Sequence, residues 1–392
     1  MKRLDTLLNK QEKRICGVMS GTSLDGVDVA VIHVQGHGIQ TKFTCEAFDT
    51  VPYDEPTRDE LLHIQKSGTL DDIARGNIAL GFVFADAIKS VCTKSKIALG
   101  TIDLIGLHGQ TIWHSPEKKK QFGYNANGTL QIGDPSVVAK QCGVITIGDF
   151  RVGDCALGGE GAPLIPYVDY ILLHSEKTHR ALLNVGGIAN ISVLPTGCTP
   201  DDIIGFDTGP GNMIVDALCK KYFSVAYDKD GHYARKGSIS LPLLSWMLQH
   251  EYIMRHPPKS TGREMFGAAF VEELCKIAEA DKLSPESIIA TATEFTAQCV
   301  HINFGMFVKH TADISELIVS GGGAHNGFLM EQLANLFTPI RVLTSDQYGV
   351  PVDAKEAIGF ALLANETINE QPANIPHVTG ASQRAILGKI CL

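Results

Sequence analysis

Four glycine-rich segments, GTSLDG, LNVGGIANIS, FDTGPGN and SGGGAHNG, each sit at the end of an apolar run. Glycine there admits positive φ and lets backbone N–H groups approach a ligand closely. A helix start just after the turn, as in GPGNMIVDAL and GGAHNGFLMEQL, adds the favourable end of a helix dipole for an anion. Asp25, Asp28, Asp134, Asp149, Asp154 and Asp207 lie in or beside such turns. Taken singly, each reads as an Asx-turn or helix cap. Asp207 is different, because it ends the apolar stretch IIGF and precedes TGPGN, so its carboxylate is expected to face a ligand. Phosphoryl transfer needs one carboxylate to orient or deprotonate the attacking oxygen, and another to hold Mg²⁺ directly or through water. Asp25 and Asp28 suit the metal role. His108, Gln110 and His114 follow the apolar run IDLIGL, Gln131 lies in TLQIGD and Arg151 in DFRVGD. Neutral donors beside an Arg suit a hydroxylated, negatively charged small molecule, although His108 also reads as a hydrogen-bonded structural histidine. PPKSTGRE (257–264) reads either as a ligand contact or as the start of a helix. No G-x-x-x-x-G-K-[ST] occurs, and no G-x-G-x-x-G follows a strand, so neither a P-loop nor a dinucleotide fingerprint is present.

These groups need a frame. RICGVMS, GVDVAVIHV and TKFTCEAF read as a three-stranded meander, with Asp-Gly as a turn signal inside the first pair. Apolar spacing predicts helices over 54–68 and 70–96, a strand over 101–108, a helix over 134–142 with Pro135 in its first turn, and a strand over 143–150. A second hairpin, RALLNVGGIANISVLP, then opens a similar series. Strand, glycine turn and helix follow over 201–222, helices over 238–255, 264–281 and 285–310, strand, glycines and helix over 315–337, and a helix over 353–368. Alternating strands and helices imply α/β units with largely parallel sheets covered by helices on both faces. VGDCALGGEGAPLIP reads as a linker or hinge between the two halves.

The bulk numbers agree with an ordinary two-domain protein. The chain has 392 residues, 44% hydrophobic and 20% charged, with ample material for cores. A net charge of -9 argues against non-specific nucleic-acid binding, which needs a net basic surface or patch. The 10 cysteines show no C-x-x-C spacing and are expected to be reduced thiols in the cytoplasm. Residues 1–13 lack the apolar core of a signal peptide, and no uncharged apolar stretch is long enough to span a bilayer, so no membrane partner is expected.

GVMSGTSLDGVD, LHGQTIWH, LQIGD, DFRVGDCALGGEGAPL, LNVGGIANIS, GFDTGPGN, PPKSTGRE and SGGGAHN, in that order, closely resemble the anhydro-N-acetylmuramic acid kinases. The likeness runs from residue 15 almost to the C-terminus. It implies the sugar kinase and actin-like fold, two RNase H-like domains with an interdomain ATP cleft. The lobes are expected at 1–155 plus about 380–392, and at 156–379. It also implies the reaction: ATP, water and 1,6-anhydro-N-acetylmuramic acid give N-acetylmuramic acid 6-phosphate and ADP, a step of peptidoglycan recycling. By motif position, Asp207 carries over as the catalytic base and Glu356, in DAKEAIGFA, as an assisting carboxylate. Gly21, Thr22, Ser23, Leu24, Asp25, Gly26, Val27 and Asp28 match the ATP phosphate turn. Gly186, Gly187, Gly209, Gly211, Asn212, Gly321, Gly322 and Gly323 complete the expected nucleotide site. His108, Gln110, Gln131, Arg151 and Asp154 fall in motifs that build the sugar side. ATP and Mg²⁺ are the expected cofactors and an amino sugar the partner; a homodimer would be in keeping with the family. Residues 1–14 lie outside the motifs and are expected to be dispensable. Two other readings stay open: a kinase for another sugar on this fold, or a non-catalytic ATP-dependent sugar sensor.

Overall fold

The computed structural model of the chain describes residues 2–21 and 23–392. They form two compact units, one of residues up to Leu173 with Ala354–Leu392, the other of His174–Asp353. The first unit supplies β1 (Glu12–Ser20), β2 (Gly26–Gln35), β3 (Lys42–Pro52), β4 (Leu104–Gln121), β5 (Tyr124–Ile132) and β6 (Thr146–Gly148). The second supplies β7 (Arg180–Val185), β8 (Ile188–Leu194), β9 (Ile204–Pro210), β10 (Glu316–Ser320) and β11 (Arg341–Thr344), and β12 (Lys389–Cys391) returns to the first. One sheet runs β12-β6-β4-β1-β2-β3, with β5 paired to β4; the other runs β11-β10-β7-β8-β9. In the first, β2 is antiparallel to β1 and β3, while β4 and β6 continue parallel to β1. In the second, β8 is antiparallel to β7 and β9, while β10 and β11 continue parallel to β7. Leaving β5 and β12 aside, both sheets have the order 3-2-1-4-5, the duplicated RNase H-like architecture that the resemblance implied. The sheets are mixed rather than largely parallel, because turns as short as Gly186–Gly187 cannot carry a parallel crossover.

The division falls at 173/174 and 353/354, not at 155/156 and 379/380. Residues 152–166 are not a linker: helix Phe150–Ala156 and helix Ile165–Leu173 both belong to the first unit, and the second of these buries Tyr167, Val168, Tyr170 and Ile171. Helix Lys355–Ile368 packs on β1 and β4 of the same unit. Gly17 and Gly106 allow that approach, since a Cβ on either would fall on the backbone carbonyl of Ala357 or Phe360. Lys355 and Asp169, 5% and 6% exposed, pair at 2.6 Å and tie this helix to helix Ile165–Leu173. The opening residues also do structural work: Leu7 is buried and β1 begins at Glu12, so residues 1–14 are not all dispensable.

In the first unit Phe84, Ile88 and Val91 of helix Leu70–Lys94 pack against Val18, Val29 and Ile105. In the second, helix Pro285–Asn303 puts Phe295 and Cys299 among Phe266, Phe270 and Tyr252, while Ala297 and Val300 meet Leu183, Ile191 and Phe206. The helix expected over 238–255 breaks into helix Leu241–Leu248 and a 3-10 turn, Glu251–Met254, which presents Tyr252 to the core. No described helix is long and apolar enough to cross a membrane.

Candidate active site

In the first unit, β1 and β2 are joined by the turn that begins at Gly21. Gly26 is required there, because a Cβ would stand 2.5 Å from the Val51 carbonyl of β3. Ser23 donates to Asp25 Oδ1 at 2.7 Å, and Asp25 is exposed. Asp28 is half-buried and accepts from Thr50 Oγ1 at 2.6 Å. Leu24 and Val27 belong to the hydrophobic core, so only their backbone is available to a nucleotide. Thr22 lies outside the described residues. Among the described residues there is no cluster of three or more side chains suited to ligate a metal. A magnesium site here would be the kind that takes one or two carboxylates and completes its shell with phosphates and water, which Asp25 and Asp28 fit.

Three of the expected sugar-side groups turn out to be internal. Gln110 is fully buried; its Nε2 donates to the carbonyls of Gly21 and Thr111, both at 3.2 Å, and its Oε1 accepts from Ser20 Oγ at 2.6 Å. It holds the Gly21 turn. His108 is buried against Phe360 and accepts from Arg151 Nε at its Nε2, 3.0 Å away. Its Nδ1 therefore carries the proton and donates to the Gly109 carbonyl at 2.8 Å. Burial, then the Arg151 cation, push its pKa down to about 3, so the ring stays neutral. Asp154, also fully buried, accepts from Asn374 Nδ2 and Thr379 Oγ1 at 2.7 Å and from Gly161 N at 2.8 Å. All three side chains are engaged with groups of the protein itself. They position the Gly21 turn, the Arg151 guanidinium and the 159–161 loop.

Arg151, Gln131 and Glu356 remain accessible. Arg151 donates to the Gly161 carbonyl at 2.8 Å, and burial lowers its pKa while the nearby Glu356 carboxylate raises it. Gln131 Nε2 is held by Thr129 and Thr111 hydroxyls at 2.7 and 3.1 Å. Glu356 stands exposed in the first turn of helix Lys355–Ile368. The protein around it raises its pKa, Lys355 and Arg151 lower it, and Asp169 and Asp25 raise it further.

In the second unit, three glycine turns meet at the end of β7. The Gly186–Gly187 turn accepts from Gly211 N at 2.9 Å and Asn212 N at 2.8 Å through its carbonyls. Gly321, at φ 78°, lies where a Cβ would stand 2.7 Å from Asn184 Oδ1 and 2.9 Å from the Val185 carbonyl. Asn212 Nδ2 donates to that same carbonyl at 3.2 Å. Gly209, Gly322 and Gly323 belong to the same turns, and helix Met213–Phe223 starts directly after Asn212. Asp207 ends the apolar part of β9. Thr261 N donates to its Oδ2 at 3.0 Å, and its carbonyl accepts from Tyr252 Oη at 2.9 Å. Burial raises its pKa to about 6 against the Thr261 hydrogen bond; Glu264 raises it and Lys259 lowers it. Such a carboxyl is ionised at neutral pH yet basic enough to take a proton.

Thr261 and Lys259 lie in PPKSTGRE, which therefore serves Asp207 rather than only opening the helix at Arg263. Asp216 was not anticipated. It is half-buried one turn into helix Met213–Phe223, and burial pushes its pKa to about 7.

Residues 13–392 match the family described as Anhydro-N-acetylmuramic acid kinase. A protein of that name from Salinibacter ruber is 44% identical over 393 residues, covering 100% of this chain and 99% of its own. One from Caldanaerobacter subterraneus is 41% identical over 396 residues, covering 100% of both chains. One from Clostridioides difficile is 41% identical over 377 residues, covering 95% of this chain and 97% of its own. The solved component A of (R)-2-hydroxyglutaryl-CoA dehydratase from Acidaminococcus fermentans is similar over 91% of this chain and 99% of its own, with TM-score 0.48 and 11% identity.

Proposed function

This chain belongs to the anhydro-N-acetylmuramic acid kinase family, and from that premise we propose how its two units divide the work. It is a kinase acting on a small amino sugar. The nucleotide is ATP and the sugar 1,6-anhydro-N-acetylmuramic acid. Asp207 accepts a proton from water as that water attacks the anomeric carbon. The C1–O6 bond breaks, the freed O6 attacks the γ-phosphorus, and ADP leaves with the bridging oxygen's electron pair. The product is N-acetylmuramic acid 6-phosphate.

The observation that carries this reading is Asp207 itself, held by Thr261 N at 3.0 Å and tuned to about 6, in the unit whose three glycine turns gather at the end of β7. The turns offer backbone donors to phosphates. The first unit contributes the Gly21 turn, with Asp25 and Asp28 toward Mg²⁺. When bound, that ion would neutralise charge on the phosphates. Arg151 and Glu356 face the sugar, Arg151 toward its carboxylate and Glu356 toward its hydroxyls. We place the enzyme in the cytoplasm, where its free cysteines would stay reduced.

The test is a direct one. Enzyme, MgATP and the intact anhydro sugar are incubated in ¹⁸O-water, and products are read by mass spectrometry. The label should enter once, at C1, with one ADP formed per 6-phosphate. ADP formation with N-acetylmuramic acid but not with the anhydro sugar would replace this reading with that of an ordinary sugar kinase.

A further inference from the structure

The second unit buries a cation that the reaction above does not use. Lys259 is 7% exposed. Its ammonium donates to the carbonyls of Tyr252 at 3.3 Å and Ile253 at 3.1 Å. The rings of Tyr252, Phe307 and Phe206 surround it at 4.8, 5.3 and 5.9 Å from their centroids. Carbonyl oxygens and aromatic faces are both electron-rich, so this cage suits a positive charge.

The cage borders Asp207 on several sides. Phe206 precedes it in β9. Tyr252 Oη donates to its carbonyl at 2.9 Å, and its own N–H donates to the Lys259 carbonyl at 3.3 Å. Two residues beyond Lys259, Thr261 N donates to its carboxylate. We propose that Lys259 is a positioning residue for Asp207: its caged ammonium locks the Tyr252–Ile253 turn to the 259–261 segment, aims the Thr261 N–H at the carboxylate, and sets a positive charge against that of Glu264. This rests on the reading of Asp207 as the base.

The surrounding charges are few. Glu264, from helix Arg263–Phe266, pushes the Asp207 carboxyl up, and Lys259 is the cation that opposes it. Arg255 and Cys299 act on the ammonium, and His256 packs on Phe307 at 5.2 Å. Burial brings Lys259 down to about 8, so it stays charged at neutral pH. Two carbonyls alone would be served by any donor; the ring cage and the neighbouring Glu264 call for the charge.

The experiment uses the full-length protein with ¹³C-labelled aspartate carboxyls, titrated by NMR, with the Asp207 signal assigned by its loss in Asp207→Asn. Lys259→Met fills the cage without charge, and Lys259→Arg keeps the charge. In Lys259→Met the Asp207 titration should move up by about one unit, the low end of what losing a neighbouring opposite charge produces. In Lys259→Arg it should stay near wild type. The acid limb of kcat/KM should shift in parallel, with kcat at pH 7 down at least about twofold and KM within about twofold. An unmoved Asp207 titration in folded Lys259→Met overturns the proposal. Lys259→Gln, which keeps an amide donor for the two carbonyls, is read the same way if the methionine variant does not fold. Wild-type protein without turnover on the anhydro sugar removes the kinase reading, and the NMR titration still decides this one.

Discussion

If Asp207 is the base, its protonation must appear in the rate. Its pKa is raised to about 6 by burial. At pH 7 such a carboxyl is about 90% ionised and at pH 5 about 10%, so kcat/KM should fall about tenfold between them. An aspartate at its ordinary value of about 3.9 would lose under about 10% over the same range. The sign follows from the role, because only the carboxylate can accept water's proton. The assay is ADP release, measured directly by chromatography with the sugar below its KM, from pH 4.5 to 8. Circular dichroism at each pH checks that the protein is folded. Acid unfolding through this group is not the confounder. The folded carboxyl holds its proton more tightly than the unfolded one, so its own contribution to stability falls as pH rises from about 4 to about 6, and is largest on the acid side. Asp207→Asn should lose about 10² to 10⁴ in kcat and show no such limb. A profile flat within twofold from pH 7 to 5, or a limb that survives in Asp207→Asn, refutes the assignment.

Asp169→Asn removes the carboxylate that stands 2.6 Å from the buried Lys355 ammonium and should cost about 3 kcal/mol in urea unfolding, the low end for breaking a buried ion pair. Replacing both, as Lys355→Met with Asp169→Leu, should recover most of it; a single-variant loss under about 1 kcal/mol would show the pair to be unimportant. Gly17→Ala drives a methyl into the Ala357 carbonyl and should lower stability by about 3 kcal/mol, the upper range for overpacking. It should also depress kcat through displaced Glu356, and an unchanged melting temperature would contradict the packing described. Excess chelator should reduce turnover by more than about tenfold; an undiminished rate would remove Asp25 and Asp28 from a metal role.

Local chemistry was legible without coordinates. Asp-Gly at 25–26, the glycine pairs after apolar strands and the helix starts that follow them depend on neighbouring residues, so the hairpins, the glycine turns and Asp207 at the mouth of β9 could be read directly. The partners of buried polar groups could not. Arg151 meets His108 across 43 residues, Gln110 meets Gly21 across 89, and Asn374 meets Asp154 across 220. A polar residue in a glycine-rich motif looks the same whether it faces a ligand or the interior. Only packing showed that His108, Gln110 and Asp154 are buried, that Arg151 and Gln131 are half-buried and that Glu356 is exposed.

The domain division was hidden for a similar reason. Glycine and proline near residue 160 have the composition of a linker, but the apolar face of helix Ile165–Leu173 belongs with helix Lys355–Ile368, nearly two hundred residues later, through Asp169 and Lys355. The amino-acid order by itself determined the turns, the strand-and-helix alternation and the acidic group at 207, all set by short-range steric and hydrogen-bonding preferences. The tertiary structure alone decided which charges are desolvated, and hence why burial pushes Asp207 up to about 6 and Lys259 down to about 8, because desolvation depends on atoms that are neighbours in space and not along the chain.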